Sequence, residues 1–430
     1  MSVLEEQGAP LHTLRLTVAE YFAGIGLVRM GLEQAGWQVV FANDISHKKY
    51  QMYEGFFPDA RLHYSVQDIF ELDPQIIPHA ILATCSFPCV DLSLAGNMNG
   101  IHGKHSSAFW WFINILQAQG NNAPPLVMVE NVHGWLHSNN GRDFRFTVEA
   151  LNKLGYVCDV LALDSLRFTP QSRPRVFLIG AKFKQSVGIE MILQRAKSLL
   201  PERLRESLTA NPDLSWFYQE IPEPPALCTN GLSRAVESIP DEDVRWWPRS
   251  EVQRHLDMMD VQHRVRVEQL AVQDKYSYRS FFRRIRNGHQ RAEVRTDDVA
   301  GCLRTASGGS GKQFLICAGK ETIKMRAMTP REYARLQGVP DSYPIVADGV
   351  QALTGFGDAV SVPVINWIAQ NVLTPLIGDN LDNAELRNHL AAYSVHDDGA
   401  RLFWRVYKNK QTGFLEHVED DRTDSNEQPA

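Results

Sequence analysis

The chain has 430 residues, 44% of them apolar and 22% charged, with a formal net charge of −6. This is the composition of an ordinary globular protein long enough for two or three domains, and no uninterrupted apolar run reaches the ~20 residues of a bilayer span. Cys85, Cys89, Cys158, Cys228, Cys302 and Cys317 form no CxxC pair; neither a zinc scaffold nor a disulfide framework is expected, and a reducing cytoplasm is.

The first 180 or so residues alternate in character. Residues 14–22 read as a strand, 27–35 as a helix and 37–42 as a second strand. Ser46 is placed to cap a helix carrying Tyr50, Met52, Tyr53 and Phe57. A strand over 79–85, a helix over 106–119 and a strand over 125–130 follow. A helix over 142–154 and strands over 156–163 and 175–179 complete the series. Such alternation predicts an α/β, doubly wound and mostly parallel sheet with helices on both faces, whose ligands sit at the carboxyl ends of the strands.

From about residue 182 to 325 the alternation stops, prolines cluster and a smaller, irregular domain is expected. Helix-compatible apolar sequence resumes at 328–336 and 360–373. Further on, 383–393 reads as a helix, 402–413 as a hairpin, and the stretch from Glu419 as an acidic disordered tail. The expected organisation is 1–181, 182–325, a return segment 326–375 that completes the first domain, and an extension 376–430.

Two of the strand ends carry chemistry. Ser86-Phe87-Pro88-Cys89 lies just beyond the strand ending at Cys85, and Glu130-Asn131-Val132 ends the next strand. Parallel strands finishing at one edge bring a thiol and a carboxyl together, a pairing suited to adding to and protonating a pyrimidine ring. The alternative reading of Cys89 is a small buried hydrophobe, which fits Cys85, Cys158, Cys228 and Cys317 better than a cysteine after proline in a glycine-bearing loop. Phe109-Trp110-Trp111-Phe112 reads as helix core, and His102 and His105 as loop surface.

Ala23-Gly24-Ile25-Gly26 puts two glycines at a strand-to-helix turn, and Asp44 ends the next strand, where an acidic side chain can hold ribose hydroxyls. Position 29 is Arg, so the third glycine of the dinucleotide fingerprint is missing. The turn suits S-adenosylmethionine at least as well as a nicotinamide dinucleotide.

Taken together, these blocks resemble the bacterial DNA (cytosine-5)-methyltransferases. The resemblance runs through Tyr21-Phe22-Ala23-Gly24-Ile25-Gly26, Asn43-Asp44, Gln67-Asp68-Ile69, Phe87-Pro88-Cys89, Glu130-Asn131-Val132 and Gln171-Ser172-Arg173-Pro174-Arg175. It resumes at Arg326 to Glu332 and Ala334 to Pro340, and ends near Gly357-Asp358-Ala359-Val360. It implies a Rossmann-like, S-adenosylmethionine-dependent catalytic domain with an inserted target-recognition domain. Cys89 would attack C6 of a flipped-out cytosine, Glu130 would bond N3 and the exocyclic amine, and Arg175 would contact the base carbonyl with Arg173 in support. Cofactor contacts would fall to Phe22, Ala23, Gly24, Gly26, Leu27, Asp44, Ile45, Asp68, Ile69, Pro88, Ala359 and Val360. No metal is implied. Val90, Ser106, Cys302 and Asp358 depart from the family's usual residues.

Between Lys275 and Lys312 nine basic residues face three acidic ones. Aromatic and basic residues interleave from 275 to 286, making a natural double-stranded DNA face through Arg279, Arg283, Arg284 and Arg286, with Arg304, Gly308, Gly309 and Lys312 beyond. The alternative there is a solvated basic helix with a flexible turn. An RNA cytosine methyltransferase is the nearest competing activity; the Cys-Phe-Thr tripeptide of the family's tRNA-acting branch is absent from the sequence. A catalytically silent DNA-binding subunit is a third reading, against which the intact Cys89, Glu130, Arg173 and Arg175 argue, and a DNA-binding subunit active only with a partner is a further alternative. The setting implied is the bacterial cytoplasm, on nucleoid DNA, with a cognate restriction or phage-defence complex as a further partner that the 376–430 extension could dock.

Overall fold

The computed structural model describes residues 15–87, 108–305, 311–346, 349–384, 386–388 and 390, together with the backbone of 404–408 and 415–419. The apolar runs of the first part become strands β1 (Thr17–Tyr21), β2 (Gln38–Asp44), β3 (Tyr64–Val66), β4 (Leu82–Cys85), β5 (Leu126–Val132), β6 (Val157–Asp164) and β7 (Pro174–Ala181). They form one sheet in the order β3-β2-β1-β4-β5-β7-β6. β1 pairs in parallel with β2 and β4, and β4 with β5, whereas β7 runs antiparallel to both β5 and β6. Reversal of β7 brings its amino end, Pro174-Arg175, to the edge where β5 finishes.

Alternate strand residues divide between two cores. Val18, Leu82, Leu126 and Met128 belong to one buried cluster, and Ala19, Ala83, Val127 and Val129 to the other. A sheet buried on both faces needs both strand faces apolar, which is why these strands read as continuous hydrophobic runs. Helices α1 (Leu27–Glu33), α2 (His47–Phe56), α3 (Ala108–Gln119) and α4 (Arg142–Lys153) connect the strands. Ser46 caps α2 as the sequence predicts, its hydroxyl accepting from the Lys49 amide at 3.3 Å.

Pro330–Leu336 and a helical run over Gly349–Gly378 return to the first core. That run is long and apolar enough to cross a bilayer, unlike anything expected from the sequence, but 67% of its most apolar window is buried inside the protein. Gly31 of α1 lets it approach: a Cβ there would meet Ile365 Cβ at 2.6 Å and the Val362 carbonyl at 2.7 Å.

The basic stretch is not a helix. Strand β8 (Ser277–Arg286) pairs with β9 (His289–Val294) and with β10 (Gln313–Gly319), and β10 with β11 (Thr322–Ala327), in a four-stranded antiparallel sheet. Its period is two: Phe281 packs against Phe314 in a third core with Val252, Leu256 and Val267 from helices over 249–271, while the alternate residues face outward. The predicted C-terminal hairpin is present as Trp404–Lys408 paired antiparallel with Leu415–Glu419. Of the helix expected over 383–393, residues 384, 386–388 and 390 are helical, Asn383 precedes them without helical structure, and the others lie outside the described residues, as does 420–430 of the acidic tail.

Candidate active site

The carboxyl edge of the sheet opens into a cavity of about 960 Å³, large enough for a cofactor of drug-like size or somewhat more. One end is built by the turn after β1. Phe22 and Gly24 hold left-handed backbone angles, φ 60° and 58°; such a conformation in a phenylalanine is strain stored where backbone must approach a ligand. Ala23, Leu27, Ile45, Asp68, Ile69 and Phe70 complete this wall. Gly26 does not line the cavity. Its φ of 82° starts α1, and a Cβ there would meet the Phe57 and Tyr53 rings at 2.6 and 2.7 Å, so its role is close packing.

Asp44 is 6% exposed. One carboxylate oxygen accepts from the Ser46 amide at 2.8 Å and the other from the Gly24 amide at 3.1 Å. Each oxygen retains a lone pair for a ribose hydroxyl. Asp68 is fixed by the Phe70 amide at 3.1 Å. A carboxylate held open between a strained glycine turn and an apolar wall fits S-adenosylmethionine.

At the cavity's other end, Glu130 Oε1 and Arg175 Nε form an ion pair at 2.9 Å, with side chains 10% and 11% exposed. Glu130 ends the parallel strand and Arg175 begins the reversed one, so two distant parts of the chain meet. Asn131, quoted in the sequence only as a neighbour, donates to the Phe87 carbonyl at 3.3 Å. This ties the residue before Pro88-Cys89 to the strand that bears Glu130. Phe87 itself is buried against Phe109 and Trp135. Pro88 and Cys89 lie outside the described residues, as do Val90, Ser106, His102, His105, Gly308 and Gly309.

Arg173 is buried, and its guanidinium donates to the carbonyls of Leu303 at 2.7 Å, Gly357 at 3.0 Å and Ala359 at 2.6 Å. Burial and then the nearby Arg175 charge lower its pKa to about 10. Its Nη1 and Nη2 groups are used on these carbonyls and on the Cys302 sulfur, while Nε has no partner among the described residues, so it fixes the cavity wall. Cys302 sits 3.5 Å from Arg173 and is also part of the wall; despite burial, the charges of Arg173 and Arg175 draw its thiol pKa below the ordinary value. Ala359 and Val360 line the cavity, and so do three residues that sequence reasoning left without a site role: Lys49, Thr305 and Asp358.

The basic residues of β8 and β9 divide by strand face. Arg283 lies over the Phe314 ring at 4.9 Å on the core side, and Arg279 is 3.7 Å from Asp298. Outward, Arg284 stacks on Phe282 at 4.9 Å, Arg286 pairs with Glu293 at 2.8 Å, and Arg284 stands directly opposite Arg291. Arg304 lines the cavity and Lys312 is half-buried. Among the described residues no group of three or more potential metal ligands occurs.

A doubly wound sheet whose seventh strand is reversed, with a glycine turn and an acidic residue at the ends of its first two strands, defines the S-adenosylmethionine-dependent methyltransferase class. The chain belongs within it to the C-5 cytosine-specific DNA methylase family, whose model matches residues 16–374. It is therefore a DNA cytosine-5 methyltransferase that uses S-adenosylmethionine, and DNA is its substrate. It is similar to the Type II methyltransferase M.DsaV of Dactylococcopsis salina, 25% identical over 361 residues, covering 84% of this chain and 86% of that one. Likewise M.HhaI of Haemophilus parahaemolyticus is 24% identical over 359 residues, 83% of this chain and 94% of the relative. In fold it resembles the S. pombe Dnmt2 methyltransferase, with a TM-score of 0.53 at 18% identity, covering 86% of this chain and all of that one.

Proposed function

We propose that this enzyme methylates C5 of a flipped-out cytosine within one short DNA sequence through a covalent Cys89 adduct. The observation that carries the reading is that the Glu130–Arg175 pair and the Asp44 cradle share one cavity. C5 of cytosine is a weak nucleophile until a group adds at C6. The Cys89 thiolate makes that bond, and Glu130 offsets charge by hydrogen-bonding N3 and the exocyclic amine while Arg175 holds the ring's carbonyl oxygen. S-adenosylmethionine supplies the methyl group to C5. Loss of the C5 proton then expels Cys89 and restores the aromatic ring. Extruding the base costs a few kcal/mol, which contacts outside the cavity must offset.

Within this reading Phe22, Ala23, Gly24, Leu27, Asp44, Ile45, Asp68, Ile69, Pro88, Ala359 and Val360 hold the cofactor, and Gly26 supports the turn. Arg173 is a positioning residue. Arg279, Arg283, Arg284, Arg286, Arg304, Gly308, Gly309 and Lys312 form the DNA face of a recognition domain spanning about 182–325, inserted between 1–181 and 326–375. The setting is the bacterial cytoplasm, where the mark protects host DNA from a cognate restriction or defence complex.

Bisulfite sequencing of unmethylated plasmid after incubation with purified enzyme and S-adenosylmethionine tests this, beside Cys89→Ser. Protected cytosines at one recurring site, absent with the variant, are expected, and DNA from the source cells should carry the same mark at nearly every copy. Equal protection by Cys89→Ser would remove Cys89 as nucleophile. No protection with either protein would overturn the assignment of a DNA substrate to the enzyme acting alone.

A further inference from the structure

Lys49 lies on α2, on the cofactor side of the cavity, and Thr305 lies in the connection between β9 and β10. Asp358 stands between them. Its Oδ1 accepts from the Thr305 hydroxyl at 2.6 Å, and its Oδ2 lies 3.3 Å from the Lys49 ammonium. Lys49 is in turn 3.9 Å from Asp44 Oδ2, the oxygen that accepts from the Gly24 amide. A continuous chain of polar groups thus runs from the glycine turn to the segment bearing Arg304. The segment 302–305 has little slack elsewhere: Leu303 is held by Arg173 and by Gln171, and a Cβ on Gly357 would come within 2.3 Å of the Arg304 carbonyl.

We infer that Lys49 is a positioning residue that passes occupancy of the cofactor cradle to residues 302–305, between β9 and β10, through Asp358 and Thr305. The inference rests on the proposed cofactor role of Asp44. A ribose hydroxyl donating to the Asp44 carboxylate competes with Lys49 for it. The ammonium then has its better partner in Asp358, whose carboxylate is held more firmly against Thr305. Coupling of this kind requires a ligand to interact differently with two arrangements, and a lysine shared between two carboxylates supplies them. The coupling is reciprocal, so contacts that fix Thr305 also favour the filled cradle. Asp358 and Lys49 make sense together: the carboxylate that departs from the family's usual residue has a cation within reach to neutralise it.

Hydrogen–deuterium exchange of the full-length protein with and without S-adenosylhomocysteine tests the relay without requiring the target sequence. In the wild type, the ligand should slow exchange both at the cradle (22–27) and at 302–305, the latter by about two- to fivefold for a half-exposed pair. In Lys49→Met the cradle should remain protected while the effect at 302–305 is lost, and Lys49→Arg should restore it. Thr305→Val should show the same loss with the cradle unaffected. Protection of 302–305 persisting in Lys49→Met, or missing from the wild type while the cradle is protected, would overturn the relay alone. Absence of protection at the cradle in the wild type would overturn the cofactor reading and the relay with it.

Discussion

Glu20 occupies the central strand β1, paired on one side with Ala42 and on the other with Thr84, and is 1% exposed. Neither carboxyl oxygen has a hydrogen-bond partner among the described residues. Burial raises its pKa from 4.5 to about 8, against the lowering influence of Arg29. A carboxyl that stays protonated in the fold but ionises in the unfolded chain stabilises the fold below pH 4.5. That contribution is lost as pH rises towards 8. Glu20→Gln removes the titration at little change in shape. We expect it to raise Tm at about pH 8.5 by roughly 2–8 °C and to leave it nearly unchanged at about pH 5; melts at the two pH values check this, and equal shifts at both would contradict it. Arg29 itself shows what single-residue reading cannot see. As the missing third glycine it reads as a defect in a dinucleotide fingerprint. In the fold its buried guanidinium bonds Tyr53, Glu33 and Asp59, at 3.1, 2.7 and 2.9 Å, and lies over Phe57, joining α1 to α2. Pro88-Cys89 and Glu130-Asn131 stand out in the sequence because each is a short local motif. Asn131, Lys49 and Asp358 were not, since their partners lie up to hundreds of residues away in the chain.

At the scale of elements, the parallel strands and most helices follow from hydrophobic runs and one readable cap. The direction of β7 does not, because an apolar strand buried on both faces reads the same in either orientation. The helix over Gly349–Asp358 also escaped, since its three glycines oppose helix formation locally. Contact explains two of them: a Cβ on Gly355 would press on Ile25 at 3.0 Å, and Gly357 abuts Arg304. In the four-stranded sheet of β8 to β11, interleaved aromatic and basic residues expressed the two faces of a strand. The direct pairing of Arg284 with Arg291 across β8 and β9 is unfavourable in the free protein. Such a pair is useful where a phosphate can neutralise it. Arg291→Ala should therefore act in opposite directions, stabilising the free enzyme by about 0.2–1 kcal/mol while weakening DNA binding and reducing its log–log salt slope by about 1. Urea unfolding and salt-dependent fluorescence anisotropy measure the two, and an unchanged salt slope would remove Arg291 from the DNA face.

For the molecule as a whole, the question is how a chain whose catalytic part is interrupted by some 140 residues (182–325 by the sequence reading) closes around one cavity. Arg173 provides much of the answer. It lies just before β7, and its guanidinium gathers carbonyls from Leu303, in the connection between β9 and β10, and from Gly357 and Ala359, in the helical run that packs on the first core. Gln171 and Gln337 reinforce the same junction. Gln171 Nε2 donates to the Leu336 carbonyl at 2.8 Å and its Oε1 accepts from the Leu303 amide, while Gln337 donates to Phe356 and Ala359. These groups join three separated lengths of chain, and three of the residues whose carbonyls they satisfy, Leu303, Gly357 and Ala359, line the cavity. Removing the guanidinium would leave buried acceptors unpaired, at about 1–3 kcal/mol each before relaxation. Arg173→Ala should therefore destabilise the whole protein by about 3 kcal/mol and also weaken S-adenosylhomocysteine binding, although Arg173 need touch neither cofactor nor base. Arg173→Lys should recover only part of both, because one ammonium cannot reach carbonyls spread across the planar fork. Denaturant unfolding beside calorimetric titration separates this from a purely catalytic role, which would abolish turnover while leaving stability and ligand affinity intact.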